Sequence, residues 1–281
     1  MYRILSKTRL NLSSVRIDVE APLVARKAQV GQFIILRAGE NSKRIPFTVM
    51  DRDAEKGSVS IIYQVLGAGT MELDQLQEGD CIRDFVGPLG EPSRLSGLSR
   101  VCVVGGGLGC AIAYPSARQL KREGAYVDGI IGFRSAGMAL LEEEFRSVCD
   151  RVSLLTDDGS AGEKGFVTRA LEERLEAGER YDEVLAIGPL PMMKAVCELT
   201  KKYGVKTTVS MNAIMVDGTG MCGGCRLSVG GQMKFACVDG PEFDGHLVNF
   251  DEAIARGGMY REFEAHAKEE ACKLLEKEAL L

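Results

Sequence analysis

Three cysteines and one aspartate, crowded into a glycine-rich stretch near the C-terminal end, have the clearest chemistry in this sequence. They follow the pattern Asp217-x4-Cys222-x2-Cys225-x11-Cys237. Cysteine thiolates are the usual ligands of iron–sulfur clusters, and this spacing is that of plant-type ferredoxins with Asp in place of the leading Cys. The surrounding glycines let backbone N–H groups approach the sulfides of a cluster, which eases its reduction. We therefore predict a [2Fe–2S] cluster held by Asp217, Cys222, Cys225 and Cys237.

Two other interpretations of this segment stay open from the residues alone. A structural zinc site could use the same three thiolates, or the cysteines could be free thiols in a glycine-rich turn. Asp217 could cap a turn instead of binding metal. His246 and His266 are the only two histidines of the chain, so the sequence gives little support to a His-rich zinc site or to His-based catalysis. We predict no catalytic acid or base.

A second glycine-rich stretch, Gly105-Gly106-Gly107-Leu108-Gly109, lies between an apolar strand pattern and a helical pattern. A strand that leads through glycines to a helix N-terminus is suited to binding the phosphates of a nucleotide. The alternative is a tight strand–helix turn, since Cys110 replaces the last glycine of the G-x-G-x-x-G fingerprint. Gly188 follows a later strand pattern and should open onto the same edge of the sheet. Asp128 lies within a strand pattern, so we do not predict that it binds ribose.

The hydrophobic pattern divides the chain into an all-β part and a part in which strands and helices alternate. Period-two alternation and turn residues predict a small antiparallel barrel or sandwich at residues 1–97. Alternating strands and helices predict a parallel sheet, covered by helices on both faces, at residues 98–208. A cluster segment at 209–250 and one C-terminal helix at 251–281, with its amphipathic part from about Asp251 to Leu275, complete the predicted organisation.

The composition excludes several classes of protein. The 281 residues are 45% hydrophobic and 27% charged, with a formal net charge of −5, which suits a globular chain with a real core and no basic surface for nucleic acid. No apolar stretch reaches the ~18 residues of a membrane span, and the N-terminus lacks the apolar run of a signal peptide. We therefore expect a cytoplasmic protein without nucleic-acid or membrane partners. In that reducing compartment, the crowded cysteines indicate metal binding and not disulfides.

Four short motifs of the β part carry a resemblance to the ferredoxin–NAD(P) reductase superfamily. In chain order they are Arg44-Ile45-Pro46-Phe47-Thr48, Ile62-Tyr63-Gln64, Gly67-Ala68-Gly69-Thr70 and Gly87-Pro88-Leu89-Gly90. Alone, each is typical of a turn or a strand end. In that superfamily a flavin-binding barrel precedes a nicotinamide-binding α/β domain, so the resemblance implies this fold with FAD and NAD(H) as cofactors.

The resemblance also implies a role for individual residues of these motifs. Pro46, Phe47 and Thr48 would contact the flavin. Ile62, Tyr63 and Gln64 would line it, and Gly69 and Thr70 would hold its pyrophosphate. Arg44 would bind phosphate, although it stands four positions before Thr48 where the superfamily usually has three. Gly105, Gly107, Gly109 and Gly188 would bind the nicotinamide cofactor.

The cluster motif behind the α/β domain narrows the resemblance to two related families. These are the electron-transfer subunits of dihydroorotate dehydrogenase and the small subunits of NADH-dependent ferredoxin–NADP reductase, also called sulfide dehydrogenase. The first family uses four cysteines and the second begins with Asp, which Asp217 matches. The resemblance therefore implies hydride transfer between NAD(H) and FAD and single-electron transfer between FAD and the [2Fe–2S] cluster. It implies an electron-bifurcating heterodimer with a larger flavin and [4Fe–4S] subunit, which handles ferredoxin and NADP(H).

Three alternatives to this function remain. The chain could be the electron-transfer subunit of an NAD-dependent dihydroorotate dehydrogenase, a stand-alone flavin reductase with a zinc knot, or a non-enzymatic protein that keeps a degenerate reductase fold. The stretch Tyr260–Lys268 could dock a partner, or it could be a helix packed on the protein's own barrel.

Overall fold

Two antiparallel sheets form the N-terminal barrel of the computed structural model, which describes residues 1–278 and the side chains of residues 1–274. One sheet has the order β5-β6-β2-β1-β7 and the other β4-β3-β8. The strands are β1 (Tyr2–Arg9), β2 (Ser14–Glu20), β3 (Phe33–Arg37), β4 (Ile45–Thr48), β5 (Asp51–Asp53), β6 (Ser58–Gln64), β7 (Cys81–Ile82) and β8 (Asp84–Leu89), and the helices are α1 (Pro22–Lys27) and α2 (Ala68–Gln75). Alternate residues Val15, Ile17 and Val19 of β2 are buried in the core, as the period of a half-buried strand requires.

A seven-stranded sheet with the order β12-β11-β10-β9-β13-β14-β17 forms the centre of the second part. All neighbouring strands are parallel except β17, which is antiparallel to β14. The remaining strands of the chain are β9 (Arg100–Gly106), β10 (Tyr126–Phe133), β11 (Arg151–Thr156), β12 (Glu163–Lys164), β13 (Glu183–Ile187), β14 (Thr207–Ser210), β15 (Arg226–Val229), β16 (Gln232–Phe235) and β17 (Glu242–Asp244). This sheet and the barrel confirm the predicted fold class.

Helices cover both faces of this sheet. They are α3 (Gly109–Arg122), α4 (Glu142–Val148), α5 (Val167–Glu176) and α6 (Leu190–Lys202), with a short 3-10 helix at Ala136–Met138. Ala113, Ala117 and Leu120 give α3 one apolar face, because residues at these spacings share one side of a helix. They pack in one buried cluster with Phe145 of α4, while α5 and α6 contribute to a cluster on the other face.

The C-terminal segment consists of a hairpin of β15 and β16 followed by α7 (Phe250–Gly257) and α8 (Arg261–Glu278). The prediction of one continuous helix is wrong, because consecutive glycines, Gly257 and Gly258, end α7 where glycine is unfavourable within a helix. The predicted C-terminal unit also includes residues 279–281, which lie outside the described residues. α8 lies against α2 of the barrel, in agreement with the second interpretation of this stretch, although the side chain of Phe263 remains 75% exposed.

Only the first of the three predicted domain boundaries falls between elements. The boundary after residue 208 divides β14 (Thr207–Ser210), and the boundary after residue 250 follows the first residue of α7 (Phe250–Gly257). The last barrel strand ends at Leu89 and β9 begins at Arg100, on either side of the predicted boundary at residue 97. β17 lies within the predicted cluster segment but joins the sheet of the preceding domain. Among the helices of residues 1–278, none is long and apolar enough to cross a bilayer.

Candidate functional site

Residues 217–225, here named the cluster loop, bring the predicted iron ligands close together in two pairs. The first pair is Cys225, at the end of the loop, and Cys237, both of which are buried. The backbone N–H of Cys237 donates to the Sγ of Cys225 at 3.4 Å. Burial and the adjacent Cys225 thiol raise the pKa of Cys237 to about 12. Without a metal, Cys237 therefore favours its neutral thiol form.

The second pair is Asp217 and Cys222, and both groups favour the negative form. The side-chain Oδ2 of Asp217 accepts hydrogen bonds from the backbone N–H and hydroxyl of Thr219, at 2.9 and 2.5 Å. These bonds lower the pKa of Asp217. The Sγ of the exposed Cys222 accepts the backbone N–H of Gly224 at 3.4 Å. That bond and the N–H of Asp217 lower the pKa of Cys222. Asp217 thus caps a turn here, which is the alternative left open above.

The donor set of these four residues fits a [2Fe–2S] cluster, although the pairs are not joined into one site. No three His, Cys, Asp or Glu side chains among residues 1–274 lie close enough to hold a metal ion together. The fit rests on the chemistry of the donors, three thiols and a carboxylate, and on backbone N–H groups aimed at sulfur. Gly218, with φ +82°, makes the tight loop possible, since a Cβ there would lie 2.9 Å from the side chain of Ile35.

Three arginines from different parts of the chain donate to backbone carbonyls of the cluster loop. Arg44 lies just before β4 and reaches the carbonyl of Asp217 at 3.4 Å. Arg256 of α7 reaches that of Gly224 at 3.2 Å. Arg226 reaches that of Gly223 at 3.1 Å. The guanidinium of Arg44, predicted to bind flavin phosphate, therefore lies at the cluster loop. A cavity of about 590 Å³ beside the loop is lined by residues that include Lys43, Cys222, Arg226, Arg256, Tyr260 and Phe263.

The predicted flavin residues of β4 and α2 lie next to each other. Pro46, Phe47 and Thr48 are half-buried on β4. A Cβ on Gly69 would lie 2.7 Å from the side chain of Ile45, which shows how closely α2 approaches the strand. The hydroxyl of Thr70 accepts the backbone N–H groups of Leu66 and Gly67, at 3.0 and 3.2 Å. This hydroxyl organises the N-terminal turn of α2, where unpaired N–H groups favour an anion.

Tyr63 points to the opposite face of β6 from Ile62 and Gln64, as alternation along a strand requires. Tyr63 is fully buried in the barrel core, with its hydroxyl 3.4 Å from Asp74. Burial raises the pKa of this phenol far above its ordinary value. Ile62 packs in the apolar cluster shared with the α/β domain, and Gln64 donates to the hydroxyl of Ser13 at 2.9 Å. In this structure Tyr63 is a core residue of the barrel.

The predicted nucleotide residues meet where the order of the parallel strands reverses. The glycine loop and Gly188 follow the carboxyl ends of β9 and β13, which is the usual binding crevice of such sheets. A Cβ on Gly188 would lie 3.1 Å from Gly106. A Cβ on Gly109 would lie 2.3 Å from the carbonyl of Ile187. Gly107 has φ +54°, and a Cβ there would meet no atom within 4 Å, so this part of the loop faces open space.

Asp128, by contrast, lies far from that edge of the sheet and serves the core. It is the third residue of β10 and its side chain is fully buried. Its carboxylate lies 2.5 Å from a guanidinium nitrogen of Arg174. The hydroxyl of Tyr181 donates to it at 2.7 Å, and Arg151 donates as well. The interpretation of Asp128 as a structural residue, and not a ribose ligand, agrees with this placement.

Comparisons with known proteins point to one group of relatives. Residues 212–249 match the family model of the iron–sulfur cluster binding domain of dihydroorotate dehydrogenase B. The chain is 46% identical over 246 residues to a dihydroorotate dehydrogenase B (NAD(+)) electron transfer subunit homolog of Thermotoga maritima, which covers 88% of this chain and 86% of the relative. It is 35% identical to the corresponding subunit of Caldanaerobacter subterraneus, over 88% of this chain and 97% of the relative.

Solved structures agree with these relatives. A structure of NADH-dependent reduced ferredoxin-NADP oxidoreductase, solved to study flavin-based electron bifurcation, superposes with a TM-score of 0.91 and 41% identity. The match covers 96% of this chain and 97% of that one. An Amycolatopsis cytochrome P450 reductase, at 20% identity and a TM-score of 0.61 over 72% of this chain and 65% of that one, shares the fold alone.

Proposed function

Since this chain belongs to the family of electron-transfer subunits represented by those of dihydroorotate dehydrogenase B, we propose that it is the small subunit of an electron-bifurcating NADH-dependent ferredoxin–NADP oxidoreductase. The resemblance inferred from the motifs is confirmed, and the protein is an oxidoreductase subunit that uses FAD, a [2Fe–2S] cluster and NAD(H). The observation that carries the proposal is the match over nearly the whole chain to the solved oxidoreductase, with a TM-score of 0.91. Asp217, in the place of the first cysteine, is consistent with that type.

The FAD site is assigned to the barrel. Pro46, Phe47 and Thr48 of β4 would contact the ring system, with Ile62 and Gln64 of β6 next to it. Tyr63 would support these side chains from the barrel core, where it is fully buried. Gly69 and Thr70 would hold the pyrophosphate, since the first turn of α2 presents backbone N–H groups without helical partners. When bound, FAD supplies two-electron exchange with NAD(H) and one-electron exchange with the cluster.

The nicotinamide cofactor is assigned to the carboxyl edge of the parallel sheet. Gly105, Gly107 and Gly109 would allow its phosphates to approach the backbone at the N-terminus of α3, and Gly188 would keep the neighbouring strand end open. No side chain of this site is assigned an acid or base role, because hydride transfer requires positioning of the two rings and no proton relay.

The cluster is assigned to Asp217, Cys222, Cys225 and Cys237. Backbone N–H groups already favour the thiolate of Cys222, which is the form that binds iron. The cluster loop packs against β3 and β8, because a Cβ on Gly218 would meet Ile35 and Leu89 at 2.9 and 3.0 Å. Arg44 joins the loop to the flavin strand. These contacts support a cluster site next to the proposed flavin site, as one-electron transfer between them requires.

Metal and flavin analysis of matched cysteine variants tests this assignment. We expect about two irons and two sulfides per chain in the anaerobically purified protein, together with flavin absorbance. Cys222→Ser should lose the iron but keep the flavin. Cys81→Ser removes another exposed cysteine and should keep both. Unchanged iron and an unchanged reduced-state EPR signal in Cys222→Ser would show that the ligand assignment is wrong, and zinc with flavin alone would support the zinc-knot alternative.

The partner distinguishes this function from its nearest alternative. The relatives of this chain are electron-transfer subunits, so a larger catalytic subunit completes the complex. We propose a heterodimer with a flavin and [4Fe–4S] subunit that handles ferredoxin and NADP(H), located in the cytoplasm. A second candidate function is that of the electron-transfer subunit of a dihydroorotate dehydrogenase, which is favoured by the match of residues 212–249 to the iron–sulfur domain of dihydroorotate dehydrogenase B. Co-purification of the partner, followed by assays with NADPH plus ferredoxin and with dihydroorotate plus NAD, separates the two.

A further inference from the structure

A bidentate ion pair joins the barrel to the α/β domain. Nitrogens Nη1 and Nη2 of Arg118 donate to the two carboxylate oxygens of Asp51 at 2.8 and 2.6 Å. The side chains are 20% and 34% exposed. Parallel N–H···O bonds between a guanidinium and a carboxylate are stronger and more directional than a single contact between charged groups. This pair therefore restrains orientation as well as distance.

Arg118 lies on an element of the assigned nucleotide site, and Asp51 lies on the strand that follows the assigned flavin strand in the chain. Arg118 is on α3, whose first residue, Gly109, belongs to the nucleotide loop. They are nine positions apart on the same helix, which is roughly 14 Å along its axis. Asp51 begins β5, three residues after Thr48 of the flavin strand. A shift of α3 relative to β5 would therefore move the nucleotide loop relative to the flavin strand.

The interface around the pair is open and not solidly packed. A cavity of about 960 Å³ lies between the domains, lined on one side by residues that include Arg16, Asp18 and Asp51, and on the other by Arg118 and Arg122. Apolar contact between the domains is provided by Met50 and Ile62, which share a buried cluster with Cys110 and Ala111. Such a cluster resists separation but, unlike the directional ion pair, does little to prevent a small rotation.

The ion pair remains charged at neutral pH. Burial alone would raise the pKa of Asp51. The hydrogen bonds from Arg118 and from the backbone N–H of Arg52, together with the charges of Arg118 and Arg16, outweigh burial and hold that pKa below its ordinary value. The hydrogen bonds with Asp51 raise the pKa of Arg118. The guanidinium also lies 5.4 Å from the ring centre of Tyr114, one helical turn earlier on α3, which restricts its movement further.

We propose that Asp51 and Arg118 are a positioning pair that sets the orientation of the nicotinamide site relative to the flavin site. The pair controls the rate of hydride transfer from NADH to FAD, not the affinity for NADH. This inference rests on the proposed function. Hydride transfer requires reacting atoms about 3–3.5 Å apart, and a misplacement of about 1 Å can cost on the order of a hundredfold in rate.

Stopped-flow reduction of the flavin by NADH, in the full-length protein with flavin and cluster bound, tests the proposal. The dependence on NADH concentration yields the Kd and the limiting rate separately. We expect Asp51→Asn and Arg118→Gln to lower the limiting rate at least about tenfold, with Kd changed less than about threefold. Arg118→Lys keeps the positive charge but cannot make two parallel hydrogen bonds, so its limiting rate should lie between those of these variants and that of the unmodified protein.

Two further variants serve as controls. The double variant Asp51→Arg with Arg118→Asp restores a bidentate pair and should recover most of the rate. Glu142→Gln breaks the exposed ion pair with Arg146 on α4 and should change neither parameter. Flavin content and the cluster EPR signal should be the same in all of these proteins.

The outcomes that overturn the proposal are distinct from those that overturn the proposed function. A limiting rate that stays unchanged in Asp51→Asn and Arg118→Gln refutes the positioning role. A fall in the limiting rate that accompanies loss of flavin shows a merely structural role and refutes the proposal. So does a fall in rate with an equal rise in Kd that the charge-reversed double variant does not restore. If NADH fails to reduce the flavin of the unmodified protein, the proposed function itself is wrong and this inference falls with it.

Discussion

Replacement of Gly107 by alanine probes the nucleotide loop with little disturbance of the surrounding structure. Gly107 has φ +54°, and an added methyl group would meet no atom within 4 Å. An L-residue in the left-handed region costs roughly 1–2 kcal/mol, so we expect Gly107→Ala to lower the free energy of unfolding by about that amount. No steric clash adds to this cost. The methyl group instead occupies open space where we expect the cofactor phosphates to approach the backbone.

The expected effect on NADH binding is therefore larger than the small loss of stability suggests. If the methyl group keeps the phosphates from the loop, the Kd for NADH should rise at least about tenfold, which is about 1.4 kcal/mol of binding free energy. Gly204→Ala is the matched control. Gly204 has φ +66° and also has no atom within 4 Å of an added Cβ, but it lies between α6 and β14, at the opposite edge of the sheet.

Urea unfolding followed by circular dichroism measures the stability of both variants, and titration of flavin reduction with NADH measures the Kd. Both variants should lose a similar amount of stability, and only Gly107→Ala should lose affinity. If both bind NADH as the unmodified protein does, the loop does not hold the phosphates. If both lose affinity equally, the effect is one of backbone strain and the assignment of the loop is unsupported.

Three further predictions follow from other features of the structure. Asp128→Asn leaves the buried Arg174 without its countercharge and should cost about 3–5 kcal/mol in urea unfolding, whereas a loss below about 1 kcal/mol would show that the network is not a charged one. Arg256→Gln removes a cation bonded to the carbonyl of Gly224 and should lower the cluster potential by on the order of tens of millivolts in an EPR redox titration, and no change would contradict this. Burial raises the pKa of Glu242, so the stability it contributes is present at low pH and declines as pH rises through the raised pKa. Glu242→Gln should flatten that decline when urea midpoints are compared between about pH 5 and about pH 8, and an unaltered slope would assign the decline to other groups.

Local patterns in the sequence predict the parts of the structure that depend on neighbouring residues. The strand pattern that precedes Gly188 is β13 (Glu183–Ile187) in the structure, because a central parallel strand is buried on both faces and has a continuous apolar run. The glycine loop after β9 and the thiol spacing of the cluster loop are also local signals. They indicate which residues could bind a nucleotide or an iron–sulfur cluster without knowledge of the fold.

Contacts between distant segments could not be predicted in this way. Arg44 and Asp217 are 173 positions apart, and nothing in either motif shows that the flavin strand and the cluster loop are adjacent. The ion pair of Asp51 and Arg118 is equally invisible in the sequence, since each residue is typical of an exposed position. The stretch beginning at Gly67 was interpreted as a turn only, whereas the Thr70 hydroxyl caps a helix there. A capping interaction of that kind is a signal that the sequence does contain.

The pairing of β17 with β14 has a consequence for protein engineering. Residues 242–244 lie downstream of every proposed iron ligand, yet they complete the edge of the sheet that binds the nucleotide. A chimera that moved the predicted cluster segment, residues 209–250, into another reductase would separate β17 from the sheet in which it is paired and would add a strand without a partner to the recipient. Exposed edges of that kind promote aggregation. The iron-binding stretch is therefore not an exchangeable cassette, and any transplant has to carry the neighbouring strand of the sheet with it.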